Sequence, residues 1–187
     1  MLIVLALGAV ARRTAVSETE LDVFRWFNDG PDAIGRPIWL VMQLGSFWGG
    51  LAVGALVMGV LRGWRGAVAG AVTAVAAWAL AVIAKAWVSR GRPADYVTAV
   101  NSRFEHIPKG NGYPSGHTAV AFAVATLVAG SLRGWWRVVP FALAAIVGIA
   151  RLYFGAHLPL DALGGAALGV AIGTVARFLL ADPVERV

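Results

Sequence analysis

Cysteine is absent from this 187-residue chain, which excludes a disulfide framework and a thiolate metal site. Charge is scarce as well: 14% of residues are Asp, Glu, Lys or Arg, against 59% hydrophobic. With a mean hydropathy of +0.73, this excludes an ordinary soluble domain. Acids are fewer than bases, ten against sixteen, and the formal charge is +6. Nucleic acid would need a solvated basic stripe, whereas these cations sit at the ends of apolar segments. No nucleic acid is expected, and membrane lipids with anionic head groups are the partners that fit. No Gly/Ser-rich or Pro-rich linker divides residues 1–187, which read as one membrane-embedded domain. The opening run Met1–Ala11 has neither a basic start nor a clear cleavage site, which argues against a removed signal peptide.

What the chain has instead is long apolar runs. A spanning helix needs roughly 20 mostly apolar residues. Ile38–Leu61, Ala67–Val88, Thr118–Leu132, Val138–Tyr153 and Leu160–Leu180 meet or approach that length, the third and fourth with help from polar ends. Met1–Ala11 is too short unless Arg12 and Arg13 snorkel. The expectation is an all-α polytopic transmembrane bundle: five firm spans plus a truncated or interfacial first helix. Trp39, Trp64, Trp87, Trp135 and Trp136 lie near span ends, as an interfacial aromatic belt requires. Between Arg12 and Pro37, Leu21, Phe24 and Phe27 recur at helical spacing and indicate an amphipathic interfacial helix, stopped at Asn28-Asp29-Gly30-Pro31. It reads either as a solvated connector or as part of a substrate entrance.

Three polar clusters interrupt the apolar pattern, and ionisable groups at such depth are functional candidates by default. Lys85 and Arg92 are two helical turns apart, so a continuous helix points both the same way, with Ser89 between them and Pro93 as terminator. They form a cationic face suited to phosphate oxygens. Arg90 reads as an ordinary cation snorkelling at the helix end. Pro114-Ser115-Gly116-His117 opens the next apolar run. Ser115 is a good N-cap, Gly116 permits close approach to the backbone, and free N–H groups at a helix start bind anions. His117 is placed to give a proton to a leaving oxygen. In the third cluster Pro159 fits a first helical turn. His157 lies just outside that helix and Asp161 just inside it, close enough for the carboxylate to hold the imidazole. Arg151 interrupts a span. Alternation of the spans brings all three clusters to one face of the bundle. Two histidines and an aspartate also suggest a metal, but three converging cations oppose a divalent ion, and no metal or other cofactor is expected.

Lys85-x6-Arg92-Pro93, Pro114-Ser115-Gly116-His117 and Arg151-x5-His157-x3-Asp161 together resemble the tripartite signature of the type 2 phosphatidic acid phosphatase superfamily. Ala150 departs from it, since the family usually carries Ser before the arginine of the third motif. The incomplete first span departs from a six-helix arrangement. The resemblance implies His157 as nucleophile forming a phosphohistidine, Asp161 orienting it and His117 protonating the leaving oxygen. It implies Lys85, Arg92, Ser115, Gly116 and Arg151 as ligands of the phosphoryl oxygens. The activity implied is metal-independent hydrolysis of a lipid phosphate or diphosphate, with a polyprenyl diphosphate favoured. Phosphatidylglycerol phosphate, phosphatidic acid, and transfer to another lipid are the alternatives within that chemistry. A channel or transporter with an anion pathway is the alternative of another class. Vanadate-dependent haloperoxidases share the signature, but their soluble architecture conflicts with the spans. The expected location is a bacterial cell membrane with the site facing outside. The short loops opposite the site carry Arg62, Arg65, Arg133 and Arg137 without acids, although the reactive side is nearly as basic. The sequence names no protein partner.

Overall fold

The computed structural model describes residues 16–106 and 109–180, and among them the regular structure is entirely helical. The short run Met1–Ala11 lies outside the described residues. Helix α1, Glu18–Asn28, starts where Ser17 Oγ accepts the N–H of Glu20 at 3.2 Å and ends at Asp29. It is the expected amphipathic helix. Leu21 and Phe24 are buried against Leu158, while Val23 and Trp26 face outward.

The apolar run from Ile38 to Leu61 is not one helix. Helix α2, Gly35–Met42, gives way to a 3-10 turn, Gln43–Gly45, and the chain restarts at Ser46. Ser46 is extended (φ −65°, ψ 161°), and its Oγ accepts the N–H of Gly49 at 3.0 Å, so it caps a new helix. That helix, α3, covers Phe47–Trp87 and breaks at Gly63, whose φ of 70° is open to glycine at little cost. Its two arms, residues 47–62 and 64–87, double back on each other. A Cβ at Gly54 would meet the carbonyl of Gly70, and one at Gly59 would meet Ala67. The hairpin turn thus falls between the two apolar runs, where Arg62, Arg65 and Gly63 interrupt them.

Helix α4, Gly116–Ala129, is central and nearly all buried, against the second arm of α3 (Ala74, Ala77, Ala81), α5 (Ala144, Val147) and α6 (Leu168). Helices α5, Val138–Tyr153, and α6, Pro159–Leu180, complete the bundle. Among the described residues, three helical segments are long and apolar enough to cross a membrane: α3, residues Gly134–Tyr153 and residues Pro159–Leu179. At 14 residues α4 spans about 21 Å, short of a ~30 Å hydrocarbon core. Enclosed by other helices, it has little surface to match to lipid. Helix length alone therefore does not establish the expected count of five spans.

Glycines set how closely α4 and α6 approach. Gly165, Gly169 and Gly173 of α6, four residues apart, lie against the carbonyls of Ser115, Ala119 and Ala123, also four apart. Small residues at this spacing let helix backbones touch in lipid. The contact fixes the register of the two helices, and at its end the Ser115 N–H donates to the Asp161 carbonyl at 2.9 Å. Gly169→Leu should force the helices apart, lower the melting temperature through ~1–3 kcal/mol of overpacking, and reduce activity although it lies away from the motifs. Unchanged melting and turnover would show that the register is not set there.

Candidate active site

All three polar clusters meet at one end of the bundle, as the alternation of spans implies. Lys85, at the end of α3, donates to the carbonyls of Gly112 (2.8 Å) and Asn111 (3.2 Å). Arg92 donates to Ala156 O (2.8 Å), Gly110 O (3.1 Å) and Asn111 O (3.5 Å). The two cations are thus joined through the segment 110–112, not through a shared helix face. Helix α3 stops at Trp87, and Arg92 is extended (φ −98°, ψ 169°), as the residue before a proline should be. Ser89, expected on that face, is exposed.

Ser115 sits at the N-cap position of α4 with extended backbone, but its hydroxyl caps no backbone N–H. Ser115 Oγ instead accepts from Thr118 Oγ1 at 3.0 Å and is wholly buried. Gly116 is open on its Cβ side, where the nearest atom is the Ala81 methyl at 4.0 Å. A helix start leaves its first N–H groups without intrahelical partners, so the amides beside Gly116 remain an anion cradle. His117, in the first turn of α4, lies within electrostatic reach of Arg151, His157 and Lys85.

His157 and Asp161 pair as their spacing suggested. Nδ1 of the imidazole is 3.5 Å from Oδ2 of the carboxylate, adjacent but not hydrogen-bonded, and both side chains are buried. Burial, then the positive charges of Lys85, Arg151 and Arg92, push the His157 imidazole well below its ordinary value, so at neutral pH it keeps a lone pair. Arg151 is buried beside it, with NH1 3.1 Å from Met42 Sδ and 3.7 Å from Glu105 Oε1. Among the described residues its Nε has no hydrogen-bond acceptor.

Three acid and base roles were not legible in the sequence. Arg90 is no snorkelling surface cation: its side chain is 3% exposed, with NH1 donating to Asp161 Oδ1 (2.8 Å) and NH2 to Glu20 Oε2 (2.6 Å). Burial opposes its charge, but the hydrogen bond and charge of Glu20, with the Asp161 carboxylate, more than offset this and hold its pKa above the ordinary value. Glu20 reads in sequence as a first-turn acid of an amphipathic helix, yet it reaches the catalytic end. Glu105 reads as part of a solvated loop, yet Trp39 Nε1 donates to it at 2.9 Å and it faces Arg151. The long sequence separations, about 70 residues for Glu20–Arg90 and for Arg90–Asp161, left no local signal. Trp39 is correspondingly part-buried, whereas Trp64, Trp87, Trp135 and Trp136 are exposed as a belt requires.

The loop before Gly112 is largely committed to structure. Arg103 donates to the carbonyls of Asn28 (2.9 Å), Gly30 (2.7 Å) and Tyr153, and its guanidinium lies 3.6 Å from the centre of the Tyr153 ring. Asp95 Oδ2 accepts the Arg92 N–H at 2.7 Å. His106 and Lys109 are exposed. Among the described residues no group of three or more His, Cys, Asp or Glu is placed to hold a metal ion.

Known proteins share this architecture. The chain matches the model of the PAP2 superfamily over residues 65–182. It is 33% identical over 165 residues to the bacitracin transport permease protein BcrC of Bacillus licheniformis, covering 82% of this chain and 77% of that one. A lipid A 1-phosphatase of Porphyromonas gingivalis is 42% identical over 72 residues, 37% of this chain but 16% of that protein. Among solved structures, LpxE of Aquifex aeolicus superposes with a TM-score of 0.72 at 24% identity, covering 88% of this chain and 96% of that one. A transmembrane PAP2-type phosphatidylglycerolphosphate phosphatase of Bacillus subtilis gives 0.75 at 21% identity, covering 95% and 92%. The fold, the helices suited to a bilayer and the matched residues agree: this chain is an integral membrane member of the PAP2 superfamily.

Proposed function

We propose that the protein hydrolyses a lipid phosphate or diphosphate without metal, through a phosphohistidine on His157. The observation that carries this is the buried His157, 3.5 Å from Asp161 and within electrostatic reach of Lys85, Arg92 and Arg151. In the first step His157 Nε2 attacks phosphorus and the bond from phosphorus to the lipid oxygen breaks. His117 gives its proton to that oxygen. In the second, water attacks the phosphohistidine, its proton passes to His117, and the P–N bond breaks to release phosphate. Lys85, Arg92, Arg151, Ser115 and the amides at Gly116 would meet the charge that builds on the phosphoryl oxygens. Donors fixed in advance in a site poor in water are the largest source of such stabilisation. To engage phosphate, Lys85 and Arg92 would exchange carbonyl partners for anionic oxygens.

The favoured substrate is a polyprenyl diphosphate, because three cations converge where a monophosphate would need fewer. An apolar cleft of about 200 Å³ between the first arm of α3, α4 and α5, lined by Leu44, Val53, Val124, Val128, Leu143 and Val147, has the character to take part of a hydrocarbon chain. The lipid A 1-phosphatase and phosphatidylglycerolphosphate phosphatase relatives support lipid phosphates generally and keep phosphatidylglycerol phosphate and phosphatidic acid as the closest competitors. The relative named as a transport permease favours transport as the second reading. Phosphate release in detergent separates the two, since no compartment exists there to transport into.

The decisive assay compares kcat/KM for a prenyl diphosphate, phosphatidylglycerol phosphate and phosphatidic acid in one detergent. Wild type should prefer the prenyl diphosphate, chelator should leave the rate unchanged, vanadate should inhibit, and His157→Ala should be inactive. Tenfold preference for a glycerophospholipid, about 1.4 kcal/mol in transition-state binding, would remove the prenyl assignment. A strict need for magnesium or zinc would remove metal independence. No phosphate release from any of them would favour transport.

The site is proposed to face the outside of a bacterial cell membrane. A cysteine at Asn101, in the loop before the second motif, would report the side poorly, because Asn101 bonds Asn28 in both directions. Lys109→Cys should instead be labelled by an impermeant thiol reagent in intact cells and Arg133→Cys protected. The reverse pattern would invert the topology.

A further inference from the structure

The interfacial helix α1 reaches the paired His157 and Asp161 through one side chain. Glu20 Oε2 accepts from Arg90 NH2 at 2.6 Å, and Glu20 Oε1 accepts the Leu160 N–H at 2.9 Å. Arg90 NH1 then donates to Asp161 Oδ1 at 2.8 Å. The other Asp161 oxygen accepts the Leu158 N–H at 2.9 Å and faces His157 Nδ1. We propose that Glu20 and Arg90 are positioning residues for phosphoryl transfer, which hold Asp161 and set the net charge that His157 meets as its ring becomes positive. The inference rests on His157 being the nucleophile, and neither residue belongs to the tripartite signature.

Two features favour this over simple packing. The first is geometry. Leu158 and Leu160 N–H groups and both Asp161 oxygens are each assigned a partner, so the segment from His157 to Asp161 is held at several atoms. Among the described residues Arg90 Nε has no acceptor, so the two acids aim the guanidinium. The second is charge. Arg90 and Asp161 by themselves form a neutral pair, which offers an imidazolium little. Glu20 adds one negative charge, and the three side chains together carry −1. As His157 attacks phosphorus, positive charge grows on its ring, and a nearby net negative charge stabilises that state in a low dielectric. Glu20 is placed by α1, whose Leu21 and Phe24 pack inward, so docking of the interfacial helix completes the site.

The test uses the purified full chain in detergent and single variants assayed with dioleoyl phosphatidate and farnesyl diphosphate. Glu20→Gln keeps an oxygen for the Leu160 N–H but removes the charge. It should lower kcat about tenfold, the low end of what loss of the partner behind a metal-bound histidine costs, with KM within about twofold. Arg90→Lys should fall between wild type and Arg90→Met. Arg25→Gln, on an exposed part of the same helix, should behave as wild type. On an Asp161→Asn background, Glu20→Gln should add less than about a twofold loss, because both act through one link. Size-exclusion profile and melting temperature establish folding, and if Arg90→Met does not fold, Glu20→Gln decides. Full kcat in folded Glu20→Gln, a loss confined to KM, or a full additional loss on Asp161→Asn would overturn the proposal while His157→Ala is inactive. Substantial turnover by His157→Ala would instead remove the nucleophile assignment.

Discussion

Crowding three cations into the end of an apolar bundle is the constraint on which the rest of this structure depends. Lys85, Arg92 and Arg151 feel one another's charge, and each would be costly in lipid without partners. The chain answers mainly with carbonyl oxygens. Residues 110–112 and Ala156 accept from Lys85 and Arg92, so a short irregular segment lines the site at the point where backbone oxygens are needed. Carbonyls orient a cation without neutralising it, and the positive field survives for an anionic ligand. The carboxylates beside them stay loose: Glu105 is 3.7 Å from the Arg151 guanidinium, and Asp95 takes the Arg92 backbone N–H, not its side chain.

The carboxylates are used differently. Asp161 is buried with Arg90 on one oxygen and a backbone N–H on the other, a satisfied arrangement whose disruption typically costs several kcal/mol because it leaves a bare buried charge. That makes the start of α6 rigid. The glycine face of α6 then carries this rigidity to α4, so His117 and His157 are set relative to each other by backbone contact and not by flexible side chains. Fold and site meet in that helix pair.

The motif residues were legible because charge in an apolar context is conspicuous, and because spacing placed His157 and Asp161 across a helix start. The hairpin in α3 was legible from the break between two apolar runs. The restart at Ser46 was not, because one capping serine hardly disturbs a hydropathy profile. Arg90 was misread for a similar reason: a lone arginine after an apolar run looks the same whether it faces water or a partner about 70 residues away. The α4–α6 stripe was present in the sequence as Gly165, Gly169 and Gly173, yet glycine spacing points to a partner helix only once a structure shows which one.

The central claim is a covalent intermediate on His157, and trapping it is the most direct measurement. His117 serves both steps, but a diphosphate's leaving group is itself a phosphate and departs with little protonation, so loss of His117 should slow breakage of the P–N bond more than its formation. His117→Ala incubated with a lipid labelled in its phosphate should therefore retain label on the protein, stable in alkali and lost in acid, in the peptide that contains His157. The same label should be absent from a variant lacking His157. Phosphate release with no protein-bound label at any time, or label on another residue, would contradict the account.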